Sequence, residues 1–262
     1  MLFYREAAPK PELSHLVLSF WEFTVADGNF ASIQHEVFPD GCVSLFYYRN
    51  ENFNLKQLIL TGLNLESVVA PVFPTDIYWA MRISPAACAN LLRADPTNFV
   101  GKRSVEIEKF PHLTDGLFEK FNACRNFDEA VAVYENQLRK IDLGEKSFDE
   151  KIEQAVKIIG QRSGEIKISE LAVQLNLSVR QLERRFKNSS GLTPKQFLRA
   201  RRIRATAIDL VENESVNWAN CAAEMGFSDQ SHLIHEFVSI TKRSPNSFAE
   251  KVKQIKHGNL IK

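Results

Sequence analysis

Apolar and polar positions divide the chain into two textures. Up to about residue 83 the apolar residues come in short runs rich in Val, Phe, Trp and Tyr, a composition that suits strands. His15 to Val25, His35 to Phe38, Cys42 to Tyr48, Leu55 to Thr61 and Asp76 to Ile83 are the strand candidates. Pro39-Asp40-Gly41 has tight-turn residues and predicts a hairpin between the second and third of these. The period then lengthens. Ser84-Pro85 reads as a helix start, with Ser84 as N-cap and a short helix over Ala86 to Leu92. Leu117 to Cys124 and Phe127 to Lys140 follow with helical spacing, Asp128 and Glu129 lying in the first turn of the latter. Ile141 to Ser147 reads as a linker. Beyond it the spacing predicts helices over Asp149 to Gln161, Ile168 to Leu175, Ser178 to Ser189, Pro194 to Val211, Trp218 to Met225 and Asp229 to Thr241, and a last one near Pro245.

The helical part contains an internal repeat. Ile168 to Phe197 (ISELAVQLNLSVRQLERRFKNSSGLTPKQF) resembles Trp218 to Phe248 (WANCAAEMGFSDQSHLIHEFVSITKRSPNSF). Setting Leu182 on Leu233 also sets Phe186 on Phe237, Pro194 on Pro245 and Phe197 on Phe248; Ala172 falls on Ala222 once the second copy has one extra turn residue. Each copy is a short helix, a turn and a longer helix. Two helices crossing at about 90 to 120° need a small residue at their approach, which Ala172 and Ala222 supply. Ser178 and Asp229 stand where the second helix needs an N-cap. Leu182 with Phe186, and Leu233 with Phe237, are four apart and face a core. Arg180, Glu183, Arg184 and Lys187 then point outward from the first copy, and Gln230, Ser231, Ile234 and His235 from the second. Arg, Gln and Ser are readers of base edges in a major groove.

Charge supports that reading only after the chain is divided. The net +1 hides an asymmetry: residues 150 to 262 hold 19 Lys/Arg against 12 Asp/Glu, a formal +7, which leaves residues 1 to 149 with 14 against 20, or −6. A basic second half implies a polyanion partner. The 262 residues, 44% apolar and 25% charged, suit two ordinary globular domains. No run of about 20 apolar residues suggests a membrane helix, and the start, MLFYREAAPKPELSHLVLSFW, lacks the basic-then-apolar order of a signal peptide; a cytoplasmic protein is expected. Cys42, Cys88, Cys124 and Cys221 are scattered without a CxxC pair and read as buried free thiols.

At AAEMGFSDQSHL (Ala222 to Leu233), at the F-x4-G-x2-P-x2-F run from Phe186 to Phe197, and in the 51-residue repeat, the chain resembles the AraC-type family of bacterial transcription regulators. The resemblance covers about Asp149 to Phe248. It implies a bilobed, all-α, double helix-turn-helix module in which Arg180, Glu183 and Arg184 of the first lobe and Gln230, Ser231 and His235 of the second face bases. It also implies that Arg199 on the linking helix lies near the DNA backbone. Two departures stand out: the glycine matched by Gly191 is Lys242 in the second copy, and the outward position usually held by Arg there is His235, whose contacts change with pH. More loosely, FWEFTV (Phe20 to Val25), VFPDGCVSLFYY (Val37 to Tyr48) and MRISPAACANLL (Met81 to Leu92) resemble the small sensor-like domain of one branch of the family. They imply a strand-rich, cupin-like or related barrel with helices at its C-terminal end, which binds a small-molecule effector, forms a homodimer, or both. The resulting fold is α+β with two domains: residues 1–146 for effector binding and/or dimerisation, and 147–262 for DNA. Double-stranded DNA and RNA polymerase are the implied macromolecular partners, and activation is the family's common outcome.

Two rival readings concern the first domain. A metal-dependent cupin-type enzyme fused to the module would need a His-x-His pair, a carboxylate and a later His. His35-Glu36 has no second His two residues on, the next is His112, and Asp40-Gly41 reads as turn chemistry. GxSxG, GxxxxGK[ST], GxGxxG and HExxH are all absent, so no catalytic residue, metal or cofactor is expected. Alternatively the domain only dimerises, with Phe118, Phe121, Val131, Val133, Tyr134 and Leu138 facing a partner subunit or packing on their own barrel. Trp21, Phe23, Phe46, Tyr48, Tyr78 and Trp79 would line an effector pocket or fill a core, and the effector-binding residues stay unknown at this level.

Overall fold

The computed structural model of the chain describes residues 2–142, 148–162, 165–212 and 217–256. Seven strands come first: β1 (Leu2–Ala7), β2 (Val17–Val25), β3 (Ile33–Val37), β4 (Ser44–Asn50), β5 (Leu55–Thr61), β6 (Val68–Val72) and β7 (Ile77–Ile83). Then come α1 (Cys88–Leu92), β8 (Ser104–Val105), α2 (Pro111–Thr114), α3 (Leu117–Ala123) and α4 (Phe127–Leu138). The second part is helical throughout: α5 (Glu150–Gln161), α6 (Ile168–Gln174), α7 (Val179–Ser190), α8 (Pro194–Glu212), α9 (Trp218–Glu224), α10 (Gln230–Thr241) and α11 (Pro245–Lys256). A strand-rich part ending in helices and a helical part after it agree with the sequence. Residues 143–147 of the expected linker lie outside the described residues.

Antiparallel pairing orders one sheet as β1-β2-β7-β4-β5-β8, and β3 pairs with β6 in a separate two-stranded sheet. Register puts Phe20, Leu45, Tyr47, Trp79 and Met81 on one face of the large sheet. There α3 and α4 cover them with buried Phe121, Phe127, Tyr134 and Leu138, while Phe118, Val131 and Val133 pack partly buried against the same cluster. The Tyr134 hydroxyl lies 2.8 Å from the Trp79 carbonyl and 2.9 Å from that of Leu45, so the phenol has an acceptor in a dry interior. The apolar helix face considered for a partner subunit is therefore filled by the domain's own sheet. The opposite face carries Trp21, Phe46 and Tyr78, half-buried, with Phe23 stacked on His35 of β3. Trp79 lies across the sheet from these, so the six aromatics of the sequence reading do not share one wall.

Two local expectations are corrected. Pro39-Asp40-Gly41 closes no β3–β4 hairpin: β3 pairs with β6, and β4 lies between β5 and β7. The turn chemistry is nonetheless present, since Asp40 accepts the Cys42 backbone N–H (3.0 Å) and Gly41 takes φ 74°; turn residues specify a change of direction and leave strand pairing to longer-range burial. The helix after Ser84-Pro85 starts at Cys88, because the Ser84 N–H bonds the Leu16 carbonyl (2.8 Å) and one turn intervenes. β6 was hidden by Pro71, which a strand tolerates at an edge.

The helical part has two cores. Ile152, Ile159, Leu171, Leu182, Phe186 and Phe197 belong to one; Ile203, Leu210, Leu233, Phe237, Ile240 and Phe248 belong to the other; α8 runs through both. Neither is closed by the helices alone. Cys42 and Ala86 of the strand-rich part join the first core, and Phe38 packs on the second, 5.0 Å from the Phe248 ring centroid and 6.1 Å from that of Phe237. In return Leu192 sits in the core of the strand-rich part. The four cysteines are free and buried, and burial pushes the Cys88 thiol up to about 12 and that of Cys221 to about 11. Among the described residues no helix is long and apolar enough to cross a membrane.

Candidate DNA-binding interface

The repeat is structural down to its hydrogen bonds. Ala172 and Ala222 are buried where the short helix meets the long one. After each short helix a residue of positive φ reverses the chain, Asn176 (52°) in the first unit and Gly226 (69°) in the second. The next N–H then returns to the alanine carbonyl, Leu177 to Ala172 at 2.9 Å and Phe227 to Ala222 at 2.8 Å. The extra residue of the second copy is Ser228, whose hydroxyl lies 3.1 Å from both Asp229 and the His232 Nδ1.

Both long helices start as expected. Ser178 accepts the Gln181 N–H while the Gln181 side chain accepts the Ser178 N–H, a reciprocal capping box. Asp229 accepts the His232 N–H at 2.8 Å, which holds its carboxyl below the ordinary range. At the other end Ser190 and Thr241 play one role: each hydroxyl bonds the carbonyl four residues back, Phe186 (2.8 Å) or Phe237 (2.9 Å). Gly191 (φ 82°) and Lys242 (φ 59°) then both stop the helix in the left-handed conformation. Lys242 thus keeps the geometry of the glycine it replaces.

With Leu182, Phe186, Leu233 and Phe237 wholly buried, the remaining faces are fixed. Arg180, Glu183, Arg184 and Lys187 are exposed on α7, and Gln230, Ser231 and His235 on α10, as the periodicity requires; Ile234 is half-buried. Arg199 is placed differently from the rest. It is half-buried on α8, donates to Glu236 of α10 (2.5 Å) and reaches the Ser239 hydroxyl, tying the linking helix to the second unit. Arg185, one position from the outward stripe, grips the Asp149 carboxylate with two bonds of 2.6 Å and fastens α7 to α5.

Contacts from the strand-rich part escaped the sequence reading. Its Pro96 carbonyl roofs Gly191, where an added Cβ would lie 2.6 Å from the oxygen. Gly41 abuts the Phe197 ring so closely that no side chain fits. The Ser67 N–H bonds the Ile240 carbonyl at the end of α10 (2.9 Å), with Glu66 on Lys242 (2.7 Å) and Glu36 near Arg243 (3.8 Å). Farther along α8, Arg204 donates to Glu6 (2.7 Å) and Tyr4 (3.0 Å), and Glu6 also receives Arg82, itself bonded to Asp40 and Ser19. Burial would push the Glu6 carboxyl up, but Arg82, the Tyr4 hydroxyl and Arg204 outweigh it and hold it at about 2. The turn residues of Pro39-Asp40-Gly41 were the only local signal of this junction.

The histidines considered as metal ligands lie apart: His15 packs edge-on to Phe148, His35 stacks on Phe23, and the His112 Nε2 lies 2.8 Å from the Leu91 carbonyl. Among the described residues no three His, Cys, Asp or Glu side chains are grouped to hold a metal.

Comparison with known proteins falls on the same division of the chain. A family described as a helix-turn-helix domain matches residues 171–251, and a domain of unknown function (DUF6597) matches residues 5–104. No curated protein matches the chain. Among solved structures it is similar to ToxT from Vibrio cholerae (12% identity over 88% of this chain and 98% of that one, TM-score 0.44). It is also similar to a transcriptional regulator with an AraC-type DNA-binding domain from Chromobacterium violaceum (23%, 40% and 94%, TM-score 0.36), and to the C-terminal domain of the response regulator yesN from Fusobacterium nucleatum (21%, 38% and 99%, TM-score 0.36). The helix-turn-helix family matches the residues that form the two capped, duplicated units, so residues 171–251 are a helix-turn-helix domain of the AraC type.

Proposed function

We propose that the chain regulates transcription by laying α7 and α10 into two adjacent major-groove segments of one DNA duplex. The supporting observation is the pair of equivalent units on a single 19-residue helix, each with a capped long helix and an outward polar face. At ~1.5 Å per residue α8 is about 28 Å long, so the units suit sites roughly one DNA turn, about 34 Å, apart. Arg180, Glu183, Arg184 and Lys187 serve the first segment, and Gln230, Ser231 and His235 the second. Arg199 acts near the backbone and keeps α8 aligned with α10. Because both units lie in one polypeptide, the two segments run in direct order and need no palindrome.

The N-terminal domain, residues 1–146 in this reading, modulates that binding as an effector sensor, a dimerisation unit or both. Support comes from residues 38–42, which touch both units at once: Phe38 packs on the second core, while Gly41 and Cys42 pack on the first. A shift of this segment changes the angle between the units, and so the spacing they read. Double-stranded DNA, a small effector or a second copy, and RNA polymerase are the partners of this reading. Footprinting of the full chain on duplexes it selects from a random library tests it. Two protected groove segments about one turn apart, in direct order, are expected; a symmetric inverted repeat bound only by dimers overturns it.

A further inference from the structure

We infer that the two recognition helices hold their half-sites by different forces, and that Val179 and Ile234 are specificity residues seated against thymine methyl groups. The inference rests on the two-unit reading above and adds to it which base chemistry each unit takes.

The repeat sets Val179 and Glu183 of α7 on Gln230 and Ile234 of α10. Each pair is four residues apart and shares one helix face. Each contains one apolar and one hydrogen-bonding side chain, in opposite order. Val179 is the first residue of α7, directly after the Ser178 cap, and is 40% exposed. An isopropyl group so placed gains little from the fold. Ile234 packs its inner side on the second core and is otherwise at the surface. The amino-terminal turns of such helices approach base edges. In the major groove the apolar feature is the thymine C5 methyl; Gln pairs with adenine N6 and N7, Glu accepts from cytosine N4, and Arg takes guanine O6 and N7. The first half-site therefore combines a thymine at the amino-terminal end of α7 with G·C pairs under Arg180, Glu183 and Arg184. The second combines an adenine under Gln230 with a thymine one helical turn farther along, under Ile234.

Electrostatics give the second unit a reason to use such contacts. Between Arg204 and Lys242 the sequence contains no Lys or Arg, but holds Asp209, Glu212, Glu214, Glu224, Asp229 and Glu236. Lys242 and Arg243, which follow α10, face Glu66 and Glu36 of the N-terminal domain. The first unit, in contrast, exposes Arg180, Arg184 and Lys187 on one helix. Of the two recognition helices only α7 carries Lys or Arg, so phosphate attraction, which dominates affinity and its salt dependence, weighs on α7, and α10 itself grips its segment by non-ionic contacts.

The test uses the full chain and duplexes it selects from a random library, with each thymine replaced singly by deoxyuridine, which removes only the methyl. One thymine in each half-site should show about a fourfold loss of affinity, equal to about 0.8 kcal/mol, the value of one buried methylene-sized group. Val179→Ser should abolish the sensitivity in the first half-site only, and Ile234→Ala in the second only. Lys187→Ala should lower the salt slope by about 1, whereas Ile234→Ala leaves it unchanged. The wild-type substitutions need no variant to fold. Two protected segments with no deoxyuridine effect overturn this inference alone; protection of a single segment overturns the two-unit reading, and the role of Ile234 with it.

Discussion

Gly191 lies directly beneath the Pro96 carbonyl: a Cβ on it would stand 2.6 Å from that oxygen and 2.9 Å from the Leu63 Cδ1. Its counterpart Lys242 has the same left-handed backbone and reaches the side chain of Glu66 in the strand-rich part. Glycine is therefore required in the first unit by the neighbouring backbone as well as by φ. Gly191→Ala should destabilise the chain by about 1–3 kcal/mol through strain and the clash. Lys242→Gly should stay within about 1 kcal/mol of wild type, since relief of the positive φ offsets an exposed ion pair. Chemical denaturation of both variants checks the contrast.

Arg184→Ala should cost about 1–3 kcal/mol on the selected site and much less on random DNA, as expected of a side chain reading bases. Arg199→Ala should weaken both by a similar factor, because the residue aligns α8 with Glu236 and Ser239. His235→Ala should cost less than Arg184→Ala. Anisotropy titrations on matched specific and random duplexes read all three.

Phe38→Ala removes an aromatic ring that leans on Phe237 and Phe248. For a half-buried ring a loss of about 1–3 kcal/mol is expected, toward the low side of full-burial values. Binding to the second half-site should suffer more than binding to the first. Footprints that weaken equally at both segments would show that Phe38 supports the fold without favouring one unit.

Acid should loosen the junction at Glu6. Its carboxyl is held at about 2, below the ordinary 4.5. A depressed carboxyl contributes stability that is complete above about 4.5 and lost as the pH falls toward about 2. Glu6→Gln should therefore be less stable than wild type near neutrality and should show a shallower further loss across that acid range. Melting temperatures over a pH series decide it; parallel curves for the two proteins would contradict the assignment.

What could be read from the residues depended on the range of the forces involved. Ser178 and Asp229 were legible because an N-cap acts on backbone groups two or three residues away. The pairs Leu182–Phe186 and Leu233–Phe237 were legible because burial recurs at the helical period. The outward placement of Arg180, Glu183, Arg184, Lys187, Gln230, Ser231 and His235 followed from those anchors. The partner of β3 did not, since Pro39-Asp40-Gly41 describes a bend and the choice of β6 depends on residues more than thirty positions away. Nor did the engagement of Arg199, because Glu236 approaches it only after both units have folded. Gly41 against Phe197 is similar: the residue announced a turn, while the reason that no side chain is tolerated lies 156 positions later.

The lodging of residues 38–42 between the two units has a consequence for inheritance. A C-terminal module grafted behind a foreign first domain would arrive with an unfilled flank at Phe237 and Phe248 and a naked Leu192. Exchange between such proteins is then constrained to join partners whose loop and module have been selected together, and a working chimera must carry this five-residue stretch along with the helices it completes.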